Sequence, residues 1–339
     1  MKRLRIELAD LATRDNLTLA QWKAAQGRTR QRAVARWLAD ADRHLNLLAA
    51  DIRCGAAPSH QVRRFAIHDP KRRTITAPCF ADRVLHHAIL NLAEARFEGA
   101  LVASSWACRP GRGVHRSVTA VQQALRRWPW FVQVDVASYF ERIDHQRLLD
   151  LLARRFKGAD FLALLERIVR SAPALPHPGR GLPIGALTSQ HFANAYLDGA
   201  DRWLLAHPAV QVHARYMDDS VWWCRSRAEG DTVLAGLQGW MQQELGLELK
   251  PGAHARSSDQ GLLWCGFVVQ RGAVLPGPRK RQRFAAGVQR LQAAECWADA
   301  AALQRAHDAL LATLAHTDSL AWRRALWHGP AAGETDALA

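Results

Sequence analysis

The chain has 339 residues, 49% of them apolar, with a net charge of +15 and a pI near 10.5. That length admits about two domains and a sizeable core, and the composition excludes a disordered chain. No apolar run is long enough for a bilayer, and Met1-Lys-Arg-Leu-Arg5 lacks the apolar centre of a signal peptide, so a cytoplasmic protein without a membrane partner is expected.

The positive charge attracts polyanions, nucleic acid first. An Arg-rich compositional bias produces the same figure without a partner. The six cysteines (54, 79, 108, 224, 265 and 296) form no C-x-x-C pair and read as reduced thiols. His86, His87 and His145 read as packing or surface residues rather than ligands.

Taken in chain order, apolar residues at Val34, Trp37, Ala41, Leu45, Leu48 and Ile52 recur with a helical period, so a helix is predicted over 30–53, with Gly55 as its cap. Residues 63–76 carry two β-rich runs around an Asp-Pro turn, a hairpin. Helices are predicted over 81–97, 115–128 and about 145–171, with a strand over 131–136 between the last two. A Pro/Gly-rich loop over 173–185 precedes a helix over 188–206. Val210 to Cys224 reads as strand, turn, strand. A helix over 231–245, two strands within 262–275 and two amphipathic helices (279–297 and 300–315) follow, and the last ten residues read as loose. The mixture has no βαβ rhythm and no phosphate-binding glycine loop, so the expected class is α+β.

Two places carry chemistry. Asp135 ends an apolar strand, and Asp218-Asp219 tip the predicted hairpin. Three gathered carboxylates repel and raise one another's pKa, which divalent cations relieve. Hard oxygen donors suit two Mg²⁺ ions, with Mn²⁺ as a substitute, and such a pair serves phosphoryl transfer. The plainer reading is that Asp-Asp is turn chemistry and Asp135 a helix cap.

With these motifs in view, the sequence resembles a reverse transcriptase. Tyr216-Met-Asp-Asp219 is similar to the Y-x-D-D box, in which Tyr216 and Met217 lie by the primer and template. Val134 to Asp144 resembles the first palm motif, which implies a metal-binding Asp135 and a Phe140 that excludes a ribose 2′-hydroxyl. Gly181 to Leu197 resembles the loop and helix beneath the template base and incoming nucleotide, with Ile184, Gly185 and Gln190 as contacts. Leu263-Trp-Cys-Gly-Phe267 resembles the primer grip, through Trp264, Gly266 and Phe267. Arg72-Arg-Thr-Ile75, followed by Asp82-Arg-Val84, resembles the fingers hairpin, where Arg73, helped by Lys71 and Arg72, is placed to hold a triphosphate. Each has a plainer alternative: a solvated turn for the cations, core packing for Phe140, Trp264 and Phe267, and a brace for Gln190 and its i+4 neighbour Asn194.

Pro183-Ile-Gly185 followed by Ser189-Gln190 departs from the Gln-Gly and Ser-Pro of intron-encoded enzymes and resembles diversity-generating retroelements. That resemblance implies cDNA made from a template RNA with errors opposite adenines, mutagenic retrohoming, and a small basic oligomeric accessory protein. Retron and phage-defence enzymes, RNA-dependent RNA polymerases and a non-catalytic nucleic-acid-binding module remain the alternatives. At the spacing where relatives carry a pyrophosphate-protonating Lys stand Ala253 and His254, with Lys250 near but offset; His254 and Lys250 are both candidates for that acid, and a surface role is the plainer reading of each. Arg279, Lys280 and Arg281 open the last helices as phosphate contacts. The implied right-hand division is an N-terminal helical segment (1–60), fingers (61–130), palm (131–275, with finger helices about 145–180) and a small helical thumb (276–330). Template RNA, primer or cDNA and dNTPs are the expected partners.

Overall fold

The computed structural model describes residues 2–68, 72–171, 178–294 and 299–328. The chain opens with a short strand β1 (Leu4–Arg5) and four helices, α1 (Leu8–Leu11), α2 (Arg14–Ala25), α3 (Arg32–Ala39) and α4 (Ala41–Arg53). The single helix expected over 30–53 is broken at Asp40, whose φ of −136° and ψ of 51° end α3 and begin α4. Gly55, at φ +76°, closes α4 as expected. The hairpin follows as β2 (Val62–His68) and β3 (Arg72–Pro78), with Ile67 opposite Arg73 and His68 opposite Arg72. All of β2 is exposed, so the ribbon projects into solvent.

Next come α5 (Phe80–Glu98), α6 (Val114–Arg127), β4 (Trp130–Asp135), α7 (Tyr139–Arg142), α8 (His145–Arg155), β5 (Phe156–Lys157) and α9 (Ala159–Arg170). The helix expected over 188–206 is two, α10 (Leu187–Tyr196) and α11 (Asp198–Ala206). Strands β6 (Val212–Tyr216) and β7 (Asp219–Cys224) lead to α12 (Arg227–Trp240), which begins earlier than expected. A capping box, Ser226 with Glu229, sets that start. Strand β8 (Arg256–Ser257) is followed by β9 (Leu262–Trp264), β10 (Phe267–Val269) and β11 (Val274–Pro276), three strands where two are predicted. The helices α13 (Pro278–Ala294), α14 (Ala300–Ala312) and α15 (Leu320–His328) end the described chain. The loose tail expected after 329 lies outside the described residues, as do Cys296 and Lys71.

An antiparallel sheet of order β6-β7-β4-β8 forms the centre. Alternate side chains enter two cores. Val132, Val134, Trp222 and Cys224 face the larger one, and Phe131, Ala214, Val221 and Trp223 the other. Burial on both faces explains why Val221 to Cys224 is continuously apolar. The larger core also contains Leu11, Leu17, Leu45 and Ile52, so the N-terminal helices share a core with the central sheet and α5. β9, β10 and β11 cover the second core with α6. The C-terminal helices pack around Phe284, Val288 and Leu314, and they are tied back where Val274 N donates to Asp318 Oδ2 at 2.8 Å and Asp318 N to Val274 O at 2.8 Å. The class is α+β, as expected. No helix among the described residues is long and apolar enough to cross a membrane.

Candidate active site

Both catalytic candidates lie at one end of the central sheet. Asp135 is the last residue of β4 and pairs in register with Asp219, the first residue of β7. Directly opposed residues share a sheet face, which puts the two carboxylates side by side. Asp218 belongs to the two-residue turn between Tyr216 and Asp219, and its partner there, Met217, has φ +56°.

The electrostatics follow from that crowding. Burial, then the charges of Asp135 and Asp218, push the Asp219 carboxyl up to about 7. Burial and then Asp135 also raise Asp218. Asp135 Oδ1 is buried without a hydrogen-bond partner, while Oδ2 pairs with Lys250 Nζ. Lys250 is therefore a site residue that sequence spacing read as offset. It arrives because Val136 pairs with Leu249 and Lys250 N donates to Asp135 O at 2.8 Å, a long-range contact that no local pattern encodes. His254 is exposed and bonds to the nearby Gly252 O. No three His, Cys, Asp or Glu side chains among the described residues already converge as a metal's ligand set. The donor chemistry nevertheless fits hard cations: three clustered carboxylates, one with an unpartnered buried oxygen and one holding a proton near neutrality.

Phe140 follows the left-handed Ser138 and is half-buried, and its carbonyl accepts from Leu182 N at 2.7 Å. That bond joins it to the loop carrying Ile184 and Gly185. Ile184 O accepts from Thr76 N at 2.8 Å, docking the loop on β3. Gly185 has φ +124°, and a Cβ there would meet Thr76 O at 2.9 Å and Ile75 Cγ2 at 3.1 Å, so only glycine permits this approach. Gln190 is exposed and accepts from Cys108 Sγ at 3.4 Å; Cys108 in turn touches Met217 Sδ at 3.9 Å. Asn194 is buried and donates to Ala107 O at 2.7 Å. Arg72 and Arg73 are exposed at the end of the ribbon.

At the primer-grip motif, two side chains take the core-packing alternative in this structure. Trp264 and Phe267 are each 1% exposed, and Trp264 Nε1 donates to Ser117 Oγ at 2.7 Å. These rings are part of the second core. What they carry into solvent is the turn Cys265-Gly266, with φ of +50° and +79°. Tyr216 is half-buried beside the second core. Lys280 Nζ lies 4.3 Å from the Phe267 ring centroid and the Arg281 guanidinium 5.1 Å from that of Trp322, while Arg279 is exposed.

The sequence profile of the family described as reverse transcriptase (RNA-dependent DNA polymerase) matches residues 67–254. The chain belongs to the reverse transcriptase family. Its α+β architecture, with an antiparallel central sheet, is consistent with the right-hand polymerase fold. Among curated relatives, protein YkfC of Escherichia coli is 27% identical over 156 residues, 43% of this chain and 39% of that protein. The group II intron-encoded protein LtrA of Lactococcus lactis is 26% identical over 151 residues, 42% of this chain and 25% of that one. The mitochondrial nuclear intron maturase 1 of Arabidopsis thaliana is 29% identical over 89 residues, 26% of this chain and 12% of the maturase. The matches thus span well under half the length of these relatives. Among solved structures, apo telomerase from Candida tropicalis, truncated from the C-terminal domain, aligns with a TM-score of 0.48 and 10% identity, covering 65% of this chain and 56% of the other.

Proposed function

We propose that this reverse transcriptase copies RNA into DNA, with Asp135, Asp218 and Asp219 as its catalytic carboxylates. The observation that carries this is the pairing of Asp135 with Asp219 beside Asp218, crowded enough to raise Asp219 to about 7. Two divalent cations, Mg²⁺ or Mn²⁺, would be held by these oxygens and would supply the charge that activates a primer 3′-hydroxyl and steadies leaving pyrophosphate. Arg72 and Arg73, with Lys71, hold the triphosphate by forked, charge-assisted hydrogen bonds. Phe140 walls the sugar edge. Ile184 and Gly185 form the floor under the template base, and Gln190 faces the incoming pair.

The template path is supported by a cavity of about 220 Å³ beside Gly185 and Gln190, lined by Arg28, Arg83 and His87. No carboxylate lines it among the described residues, and burial with the charges of Lys23, Arg83 and Arg28 lowers His87 to about 4. Such a basin attracts phosphates. On this reading residues 61–130 act as fingers with 1–60 packed behind them, 131–275 as palm, and 276–330 as thumb, where Arg279, Lys280 and Arg281 follow the duplex backbone.

The finer reading is a diversity-generating retroelement enzyme, error-prone at template adenines and serving mutagenic retrohoming with a small basic oligomeric accessory protein. Ile184-Gly185 and Ser189-Gln190 support it, because an apolar Ile184 offers no hydrogen bond where an amide would restrain the pair. The test is extension of a DNA primer on a defined RNA template with Mg²⁺ or Mn²⁺, sequencing the product, with Asp218→Ala as control. Changes concentrated at adenines, reduced by Ile184→Gln, are expected. Faithful product removes the retroelement reading, and no dNTP incorporation removes the polymerase reading.

A further inference from the structure

We propose that Arg215 is a positioning residue, whose guanidinium bolts the carbonyl of Met217 to Asp201 and Asn194 and so holds the turn that presents Asp218 and Asp219. This rests on the catalytic reading of those two carboxylates. Arg215 is 2% exposed, and every one of its five N–H donors is used. Nε donates to Asp201 Oδ1 at 2.7 Å and Nη2 to Asp201 Oδ2 at 2.7 Å. Nη2 also donates to Asn194 O at 3.2 Å, and Nη1 to Asn194 Oδ1 at 3.0 Å. The remaining N–H, on Nη1, donates to Met217 O at 2.9 Å.

Each end of this clamp is itself fixed. Asp201 stands on α11 and Asn194 on α10, where the Asn194 amide is oriented by its bond to Ala107 O. The Arg215 main chain is gripped as well: its N donates to Ser104 O and its O accepts from Trp106 N, both at 2.9 Å. His213, with Nε2 3.6 Å from Asp201 Oδ1, is bonded to Ser104 and Ser220 and does not displace Arg215. Two helices and a loop therefore converge on one carbonyl.

That carbonyl needs holding. Met217 occupies the left-handed region at φ +56° in a two-residue turn, where glycine is the residue at ease. The bond to Met217 O is the one that links the clamp to the strained residue. A lysine at 215 keeps a charge for Asp201, but its donors sit on one atom and cannot span Asp201, Asn194 and Met217 together.

The experiment compares Arg215→Lys in the wild-type and Met217→Gly backgrounds. In the wild-type background, kcat for primer extension is expected to fall about tenfold to a hundredfold, as a small misplacement of reacting groups allows. Affinity for primer–template, and the dNTP KM, should stay within about twofold. Mn²⁺ binding, read by EPR of the free ion, should weaken severalfold. In the Met217→Gly background, where glycine relaxes the turn, the same substitution should cost far less than in the wild type. Equal losses in both backgrounds, or unchanged Mn²⁺ binding, would overturn the proposal. If Arg215→Lys does not fold, Asn194→Ala, which leaves the Arg215–Asp201 pair intact, must weaken Mn²⁺ binding in the same direction. A wild-type protein that incorporates no dNTP would sink the catalytic reading, while the Mn²⁺ comparison would still report on the clamp.

Discussion

Asp135 and Asp219 stand directly opposite one another across the β4–β7 pair, the last residue of one strand against the first of the next. A sheet that ends in two facing carboxylates, with a third on the adjoining turn, stores repulsion at the point where chemistry is expected. Asp219→Asn removes part of it. The folded state raises this carboxyl from 3.8 to about 7, so it holds a proton that the unfolded chain releases. Stability from that proton is full below about 4 and is lost as pH rises to 7. Without divalent cations, Asp219→Asn should therefore gain stability over wild type between pH 4 and 7 and level off above, by about 1–2 kcal/mol after solvent screening. Thermal melts across pH check this; a constant difference would contradict it. Activity should fall at least about a hundredfold, since several kcal/mol of charge stabilisation are at stake.

Gly185→Ala tests the docking of the 184–185 loop on β3. At φ +124° a Cβ runs into Thr76 O, a backbone atom that cannot swing away. The variant should lose roughly 1–3 kcal/mol from the strained φ alone. Because the Thr76–Ile184 bond is what joins hairpin to loop, the dNTP KM should rise more than primer–template affinity falls. Equal stability and unchanged KM would show that the loop is not held by this contact.

The cationic cavity predicts a salt signature. On the proposed template path, where each cation meets one phosphate, Arg28→Gln and Arg83→Gln should each lower the slope of log Kd against log salt by about 1. The effect should require a template with an unpaired 5′ extension. An identical loss on blunt duplex would place these cations outside the template path.

Two buried histidines predict a loss of stability in acid. Burial depresses both His86 and His213 to about 4, and each ring is tied to hydroxyls, His86 to Thr188 and His213 to Ser104 and Ser220. The unfolded chain takes up protons near 6.5 while the folded rings do not. Stability is thus full above 6.5 and falls as pH drops toward 4, by at most about 3 kcal/mol per ring. His213→Gln should flatten part of the decline in melting temperature over that window; an unaltered pH profile would refute it.

Much of the site was legible along the chain because its signals are local. The apolar run into Asp135, the two-residue turn at Met217-Asp218 and the β-rich runs of the ribbon are each patterns of neighbours. The Ser226–Glu229 capping box was equally local and marks a helix start that apolar periodicity alone placed too late. The pairing of Lys250 with Asp135 was not legible, for the opposite reason. It follows from the pairing of Val136 with Leu249, more than a hundred residues apart in sequence. Trp264 and Phe267 were ambiguous for the same reason, because a large ring beside a turn reads alike whether it meets a core or a duplex.

By itself, then, the sequence indicated most of the elements, the three candidate carboxylates and the resemblance to the family, through periodicity, turn chemistry and motif order. Only the tertiary structure decided which charges meet. Asp135 faces Asp219, Lys250 reaches Asp135, and Arg215 is locked to Asp201 and Asn194, because strand register and helix packing juxtapose residues whose sequence separation carries no record of the contact.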